Sequence, residues 1–401
     1  MTSTRQGERP HVLIIGAGIG GLCLAQGLVN KGITAAVYER GPGATFRGQG
    51  TRLSLKQPGT DALRACLPPH LMELCVATSI RPATRMIFMD HRLNPMFAKP
   101  IPPSTPESGF GVNRLTIREI LLAGLDRIVH FGKAFTSFEQ SDGTVRAHFS
   151  DGTAADGDLL VGADGTDSAV RRQLLPDAGM DSLHWSIWGR TPIVPGLDIP
   201  EELIDSFNRV TGPDDVALSV ATCRTREPVS AAAARISPGT ALTPIPDYFS
   251  WMVSLPDEFR DAGAATLHRL ASDRVREWHP GVRRILETAD VGATFPVNIR
   301  SARAVEPWPA SNVTLLGDAI HTMSPGRGEG ANTALRDAHL LRDILAVATD
   351  PAEAVARYET EMLRYGFAAV AQSRTAPFAP VKTPKGAMLH FRRSEYHIAP
   401  W

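Results

Sequence analysis

HVLIIGAGIGGLCLAQGLVNKGITAAVYE, His11 to Glu39, is the stretch whose reading decides the fold. Val12 to Ile15 is a short apolar run, as expected of a strand buried on both faces of a parallel sheet. It runs straight into Gly16-x-Gly18-x-x-Gly21. Leu22, Ala25, Leu28 and Val29 then recur at helix spacing, and Asn30-Lys31-Gly32 supplies a stop in which Gly32 is free to take a positive φ. Ile33 to Tyr38 reads as a second strand ending at Glu39. The whole is a βαβ unit of about 30 residues. Gly16 permits the tight turn, Gly18 lets the backbone approach a pyrophosphate, and Gly21 lets the helix pack on the strand. Unpaired N–H groups of Ile19, Gly20 and Gly21 at the helix start, with the positive end of its dipole, suit phosphate. Glu39, followed by Arg40, stands where a carboxylate accepts the hydroxyls of an adenosine ribose. A glycine-rich turn without a ligand is the plain alternative. The strand before, the helix after and the acid in place weigh against it.

Around this unit the chain has 401 residues, enough for two or three units or one composite fold. Lys+Arg and Asp+Glu are 42 each, so a basic nucleic-acid surface is not expected. Cys23, Cys66, Cys75 and Cys223 are widely spaced, without the spacing of a disulfide scaffold or zinc site, and no metal ligand set is expected. Val12 to Val29 is interrupted by glycines and reads as strand, turn and helix rather than a membrane span. Met1 to Pro10 is polar and lacks the apolar core of a signal peptide. The expectation is a cytoplasmic protein with a deep core and an enclosed pocket.

Two later motifs share the strand-turn-helix form. Asp158 to Arg171 is an apolar strand running into Asp164-Gly165, with a helix starting near Asp167 or Ser168, both good N-caps. By itself Asp164-Gly165 is only a turn. Val313 to Leu316 is a strand ending in Gly317-Asp318. A loop follows, His321 to Asn332, in which Pro325, Gly326, Gly328 and Gly330 give a bare backbone able to lie against a flat ligand. Ala331, Leu335, Ala338, Leu341 and Leu345 then mark a helix whose positive end points back at the loop.

In this order and separation the three motifs resemble the FAD-dependent monooxygenases of the para-hydroxybenzoate hydroxylase type. The likeness covers roughly residues 10–175 and 290–350, and GDAIHTMSPGRGEGANTALRDA, Gly317 to Ala338, is similar to that family's flavin motif. The resemblance implies an α/β fold: a Rossmann-like, three-layer FAD-binding domain with an inserted β-sheet substrate domain and C-terminal helices. It implies that Gly16, Gly18 and Gly21 bind the FAD pyrophosphate and Glu39 the adenosine ribose. Arg118 would contact phosphate and ribityl groups, and Ala134 the adenine. Asp164 would lie near the pyrophosphate and the path of the nicotinamide, with Arg171 and Arg172 as contacts of the latter. Asp318 would hold the ribityl chain. Pro325 to Asn332, with Gly328, Gly330 and Ala331, would line the isoalloxazine. His321 does not match a covalent attachment site, so non-covalent FAD is expected. NADPH or NADH would reduce it transiently, and one oxygen atom of O2 would pass through a flavin C4a-hydroperoxide to a mainly apolar, aromatic or polycyclic small molecule.

The family motif supplies no catalytic base. Aromatic-rich segments, Leu183 to Arg190 and Tyr248 to Met252, together with Phe295 to Asn298, read either as an apolar pocket or as sheet core. Arg190 and Arg52 are weak candidates for anchoring a polar substrate group, and Phe46 to Leu55 resembles the family segment beside the flavin. The expected division is discontinuous: 1–80, 110–180 and 290–350 for FAD, 81–109 and 181–289 for the substrate sheet, and 351–401 for a C-terminal helix and tail, the protein being a monomer or homodimer. A same-fold halogenase or reductase is one rival, although Trp185-Ser-Ile-Trp188 has the wrong spacing for the halogenase string. A non-catalytic flavin-binding sensor is another.

Overall fold

The computed structural model describes residues 9–44, 52–141, 143–213, 216–255 and 259–375. The polar stretch 1–8, the 46–51 part of the segment expected beside the flavin and the tail after Thr375 lie outside them.

Five short strands form a parallel sheet in the order Val313–Leu315, Leu159–Gly162, Val12–Ile15, Ala35–Glu39 and Val129–Phe131. Val12, Leu13, Ile14, Leu159, Leu160 and Val161 have no exposed surface, because both faces of this sheet are covered. On one face lie the helices Ile19–Asn30 and Gly330–Val347. Their close approach needs Gly20, where a Cβ would come within 2.8 Å of Leu316 and 3.3 Å of Ala334. On the other lies a three-stranded antiparallel sheet of Phe135–Ser141, Thr144–Phe149 and Ala154–Gly157. It contributes Phe138, Val145, Ala147 and Phe149 to the same core. Three layers result.

The second unit is a seven-stranded sheet in the order Phe295–Ala302, Met180–Pro192, Tyr248–Leu255, Ala217–Cys223, Ser206–Thr211, Arg85–Asp90 and Pro95–Pro100. All neighbours are antiparallel except Ser206–Thr211 with Arg85–Asp90. Phe295–Ala302 runs along Met180–Pro192, so the chain leaves this sheet after Ala302 and not near residue 290. The expected boundary there is corrected: the long antiparallel ladder outweighs nearness in sequence to the third motif.

The strands of this sheet alternate. Phe249, Trp251, Val253 and Leu255 are buried, and between them Ser250, Met252 and Ser254 are half-buried. Val210, Leu218, Val220 and Ile187 join the buried face, which is closed by the helices Ala264–Arg274 and Pro280–Glu287. Trp251 fixes this packing. Its indole N–H donates to Thr191 Oγ1 at 3.1 Å, and its ring lies over Gly189, where a Cβ would stand 2.2 Å from the ring. The aromatic segments around 185–190 and 248–252 thus serve both readings at once, core on one face and half-open surface on the other.

The C-terminal helix Pro351–Arg374 starts with Asp350 accepting from the Ala352 N–H and packs Tyr358, Met362 and Tyr365 onto the first core. Among the described residues no helix is long and apolar enough to cross a membrane. All four cysteines are free and buried.

Gly189→Ala should drive the new methyl into Trp251 and lower the unfolding free energy by about 2 kcal/mol, read from the denaturant midpoint. An unchanged midpoint would mean the indole can move aside.

Candidate active site

A cavity of about 340 Å³ opens at the carboxyl ends of the parallel strands, the usual place for a ligand in an open α/β sheet. Gly16 sits at its base with φ +111°, and a Cβ there would meet the Ala163 carbonyl oxygen at 2.5 Å. Gly18 faces open space, its nearest neighbour being the same oxygen at 3.9 Å. Gly18 caps the helix Ile19–Asn30 without a side-chain partner, which leaves the N–H groups of the first turn available. Gly20 and Gly21 point away from the cavity, Gly20 into the next helix and Gly21 onto the Gly16 carbonyl at 2.2 Å. Neither position has room for a side chain, in keeping with the close helix packing read for Gly21.

Glu39 is buried at the end of its strand. Its two oxygens accept from the Ala17 and Gly41 N–H groups at 2.9 and 2.7 Å, which aims the carboxylate while leaving lone pairs free. Arg40 and Ala134 line the same cavity. Arg118 enters it from the helix Arg114–Leu122: Nε donates to the Ala17 carbonyl at 2.9 Å, Nη1 donates to the Ala44 carbonyl, and Nη2 is buried without a partner. Burial lowers the Arg118 pKa, opposed by Glu39 and Glu119.

Asp164 and Gly165 form the far wall. Asp164 Oδ2 accepts from the Ala169 and Val170 N–H groups at 2.7 and 3.3 Å, so this carboxyl caps the helix Ala169–Leu174 together with Ser168. Its Oδ1 is buried and unpartnered, and burial raises its pKa above the ordinary carboxylate value despite those bonds. Arg171 is not open to a nicotinamide. It is buried, donating to the Ala319 and Thr166 carbonyls at 2.7 and 3.0 Å and tying the second motif to the third. Arg172 does line the cavity.

The third motif is built around a residue that the sequence reading left without a role. Asp337, fully buried on the helix Gly330–Val347, accepts from the Gly317 N–H at 2.8 Å and from the Tyr365 hydroxyl at 2.6 Å, and pairs with His321 Nε2 at 2.7 Å. It thereby fixes Gly317 at φ +63° and sets Asp318 at the start of the next short helix. Burial opposes the charged imidazole of His321, but Asp337 outweighs it and the pKa stands above the ordinary value. Asp318 Oδ1 is 3.8 Å from where a Gly330 Cβ would be, so the Gly-Asp turn and the loop face each other.

Pro325–Arg327 is a single 3-10 turn closed by Gly328 at φ +67°. No side chain caps the helix that begins at Gly330, so the N–H groups of Gly330, Ala331 and Asn332 remain open. The Asn332 side chain is fully engaged. Its amide donates to Ser54 and Gly328 carbonyls at 2.9 and 2.7 Å, and its oxygen accepts from the Lys56 N–H at 2.8 Å. It joins the loop to the strand Arg52–Lys56, which leaves the backbone of Asn332 to face a ligand. Lys56 and Glu329 add an ion pair at 2.5 Å.

Of the two weak anchoring candidates, Arg190 is engaged elsewhere: its guanidinium donates to Asp290 at 2.9 Å. Arg52 lies in the ribbon Arg52–Lys56 with Gly109–Asn113, its Nε buried without a partner. This ribbon meets the seven-stranded sheet where Asn113 donates to the Tyr248 hydroxyl at 2.9 Å.

A model described as an FAD binding domain matches residues 122–373, and one described as an NAD(P)-binding Rossmann-like domain matches residues 14–76. An FAD-dependent monooxygenase of Trichoderma harzianum, thnD, is 30% identical over 91% of this chain and 92% of its own length. The chain belongs to the FAD-dependent monooxygenases. A Photorhabdus luminescens protein, described as an FAD-containing monooxygenase and solved as a crystal structure, is 32% identical with a TM-score of 0.78 over 92% of this chain and 98% of that one. The dual O-methyltransferase/FAD-dependent monooxygenase elcB of Phaeosphaeria nodorum is 32% identical over 84% of this chain, and the chain spans only 40% of its length.

The residues present fit FAD. A glycine approach with nothing in front of it, an orphaned Arg118 Nη2 and two uncapped helix starts suit phosphate and the electron-rich edge of a flavin.

Asp337→Asn should loosen the Gly317-Asp318 turn, raise the FAD dissociation constant about ten-fold and lower stability by roughly 3 kcal/mol. Because the folded pKa of His321 is raised, its stabilising contribution is fully present below the ordinary value of 6.5 and is lost as pH rises through the raised one. In the variant that pH dependence should vanish from thermal melts. A variant whose melts keep it would place the proton elsewhere.

Proposed function

We propose that this chain uses FAD, with NADPH or NADH as reductant, to insert one oxygen atom of O2 into a mainly apolar, aromatic or polycyclic small molecule. The observation that carries this reading is the half-open face of the seven-stranded sheet. It is joined to the cofactor unit at two seams. One is Asn113 with Tyr248, and the other is the pairing of Arg300 with Asp167 at 2.6 Å beside the Ala302 N–H on the Thr322 carbonyl at 2.8 Å. Between them the face presents Phe295, Trp188 and Met252, all half-buried. An apolar wall joined to a nucleotide-binding unit suits a flat substrate and helps to keep water from the reaction.

The chain's own residues would then divide the work. The start of the Ile19–Asn30 helix and Arg118 hold the pyrophosphate, and Glu39 accepts from the ribose. Asp318, set by Asp337, accepts from the ribityl chain. The backbone from Pro325 to Ala331 lies along the isoalloxazine, where the positive end of the Gly330–Val347 helix stabilises negative charge. Bound FAD supplies the redox chemistry with O2. The monooxygenase names of the relatives support this reading, and one of them carries a methyltransferase as well.

Purified protein should be yellow, should oxidise NADPH or NADH faster with a hydroxylated polycyclic aromatic present, and should place one atom from labelled O2 in the product. Asp318→Ala should lose FAD about ten-fold more readily and remain folded. Rapid NAD(P)H oxidation with no label in any product would point to a same-fold reductase, and FAD binding without any oxidation to a sensor.

A further inference from the structure

One stretch of the substrate unit reaches back onto the cofactor unit. Between the strands Ala217–Cys223 and Tyr248–Leu255, residues 224–247 leave the seven-stranded sheet and lie along the other core. The Arg226 N–H donates to the Ser79 carbonyl at 2.8 Å and the Glu227 N–H to the Ala77 carbonyl at 3.1 Å. The helix Val229–Ile236 buries Ala232 and Ala233 in that core, and Leu242 packs against it. Before the chain returns to the sheet, Thr243 meets a buried carboxylate.

That carboxylate is Glu119, on the helix Arg114–Leu122 and 7% exposed. Its two oxygens accept from the Thr243 N–H at 2.9 Å and from the Thr243 hydroxyl at 2.5 Å. Among the described residues no ion pair engages it, so two neutral donors carry a buried charge. For packing alone an apolar side chain would serve as well. What the carboxylate adds is direction, because two bonds to one residue fix the helix against the crossing stretch.

This helix is only nine residues long, and the residue before Glu119 is Arg118. Asn113 holds the start of the helix to Tyr248, and the Gln26 amide donates to the Leu121 and Ala123 carbonyls at its end, at 2.9 and 2.8 Å. Glu119 is the attachment on the flank between them. Arg118 Nε donates to the Ala17 carbonyl inside the glycine turn, and Nη2 is left for a ligand. Burial lowers the Arg118 pKa, and the fields of Glu39 and then Glu119 oppose this. A group that binds a ligand must be held to within about 0.5 Å by neighbours whose own bonds are complete. Glu119 does not line the nucleotide cavity, so any effect on a ligand there passes through Arg118.

We propose that Glu119 is a positioning residue for FAD: by gripping Thr243 it fixes the helix Arg114–Leu122 so that Arg118 stays aimed at the pyrophosphate. The substrate unit thereby takes part in holding the cofactor. This rests on the reading above that Arg118 meets the pyrophosphate.

The test measures FAD binding to the apoprotein by flavin fluorescence, from low to high salt. The contact of Arg118 with a pyrophosphate is ionic and weakens as salt rises. Glu119→Leu should raise the FAD Kd about ten-fold at low salt and flatten its salt dependence to that of Arg118→Met. The double variant should bind no more weakly than Arg118→Met, because both changes remove one contact. Thr243→Val should lose part of the affinity, and Thr243→Ser, which keeps both donors, should recover most of that loss. A clamp with only a structural role would lower the melting temperature and leave the salt dependence as it was. That outcome, an unchanged Kd, or additive losses in the double variant would overturn the assignment. Should Glu119→Leu fail to fold, Thr243→Val against Thr243→Ser decides by the same criterion. An Arg118→Met variant that binds FAD like the wild type would instead overturn Arg118 as the pyrophosphate contact.

Discussion

A single buried carboxylate sets the geometry of the cofactor side. Asp337 has no exposed surface, yet three groups from two stretches of the chain converge on it: the Gly317 N–H, His321 and the Tyr365 hydroxyl. Such a group is costly to bury alone and stabilising when its bonds are complete. Completing them forces the left-handed turn at Gly317, fixes where Asp318 points and docks the C-terminal helix, with Gly366 packed against the His321 ring. Asn332 does the same for the loop, joining Gly328 to the strand of Ser54. The loop that faces the ligand can remain bare backbone because side chains behind it carry the order.

The substrate side follows a different rule. Alternation, clearest along Phe249 to Leu255, gives the seven-stranded sheet one sealed face, centred on Trp251, and one face that is open in part. The sealed face supplies the rigidity. Contacts at Tyr248 and at Arg300 join this sheet to the nucleotide-binding unit.

Much of this was legible in the sequence. The glycines, strand and acid between His11 and Glu39 specify a local βαβ unit, since turn, helix start and carboxylate all lie within one short stretch, and the structure gathers Gly16, Gly18, Glu39, Arg118, Ala134 and Asp164 about one cavity. Other roles were not legible, because each depends on a partner distant in the chain. Gly20 shows its packing role only once the neighbouring helix is seen to fill the space beside it. Arg171 looks free until Ala319 is found beside it, and Arg190 until Asp290 is. Asp337 lay within the quoted flavin motif, five residues beyond Asn332, but nothing local distinguishes it from an exposed helix acid.

The sequence by itself determined the fold class and the kind of cofactor, because those reside in turns and helix starts encoded by adjacent residues. Only the tertiary structure decided which face of the long sheet opens to a substrate, which polar groups are consumed in holding the frame and which are left to meet a ligand. Those outcomes depend on register and burial across strands far apart in the chain, where a shift of one residue exchanges the faces.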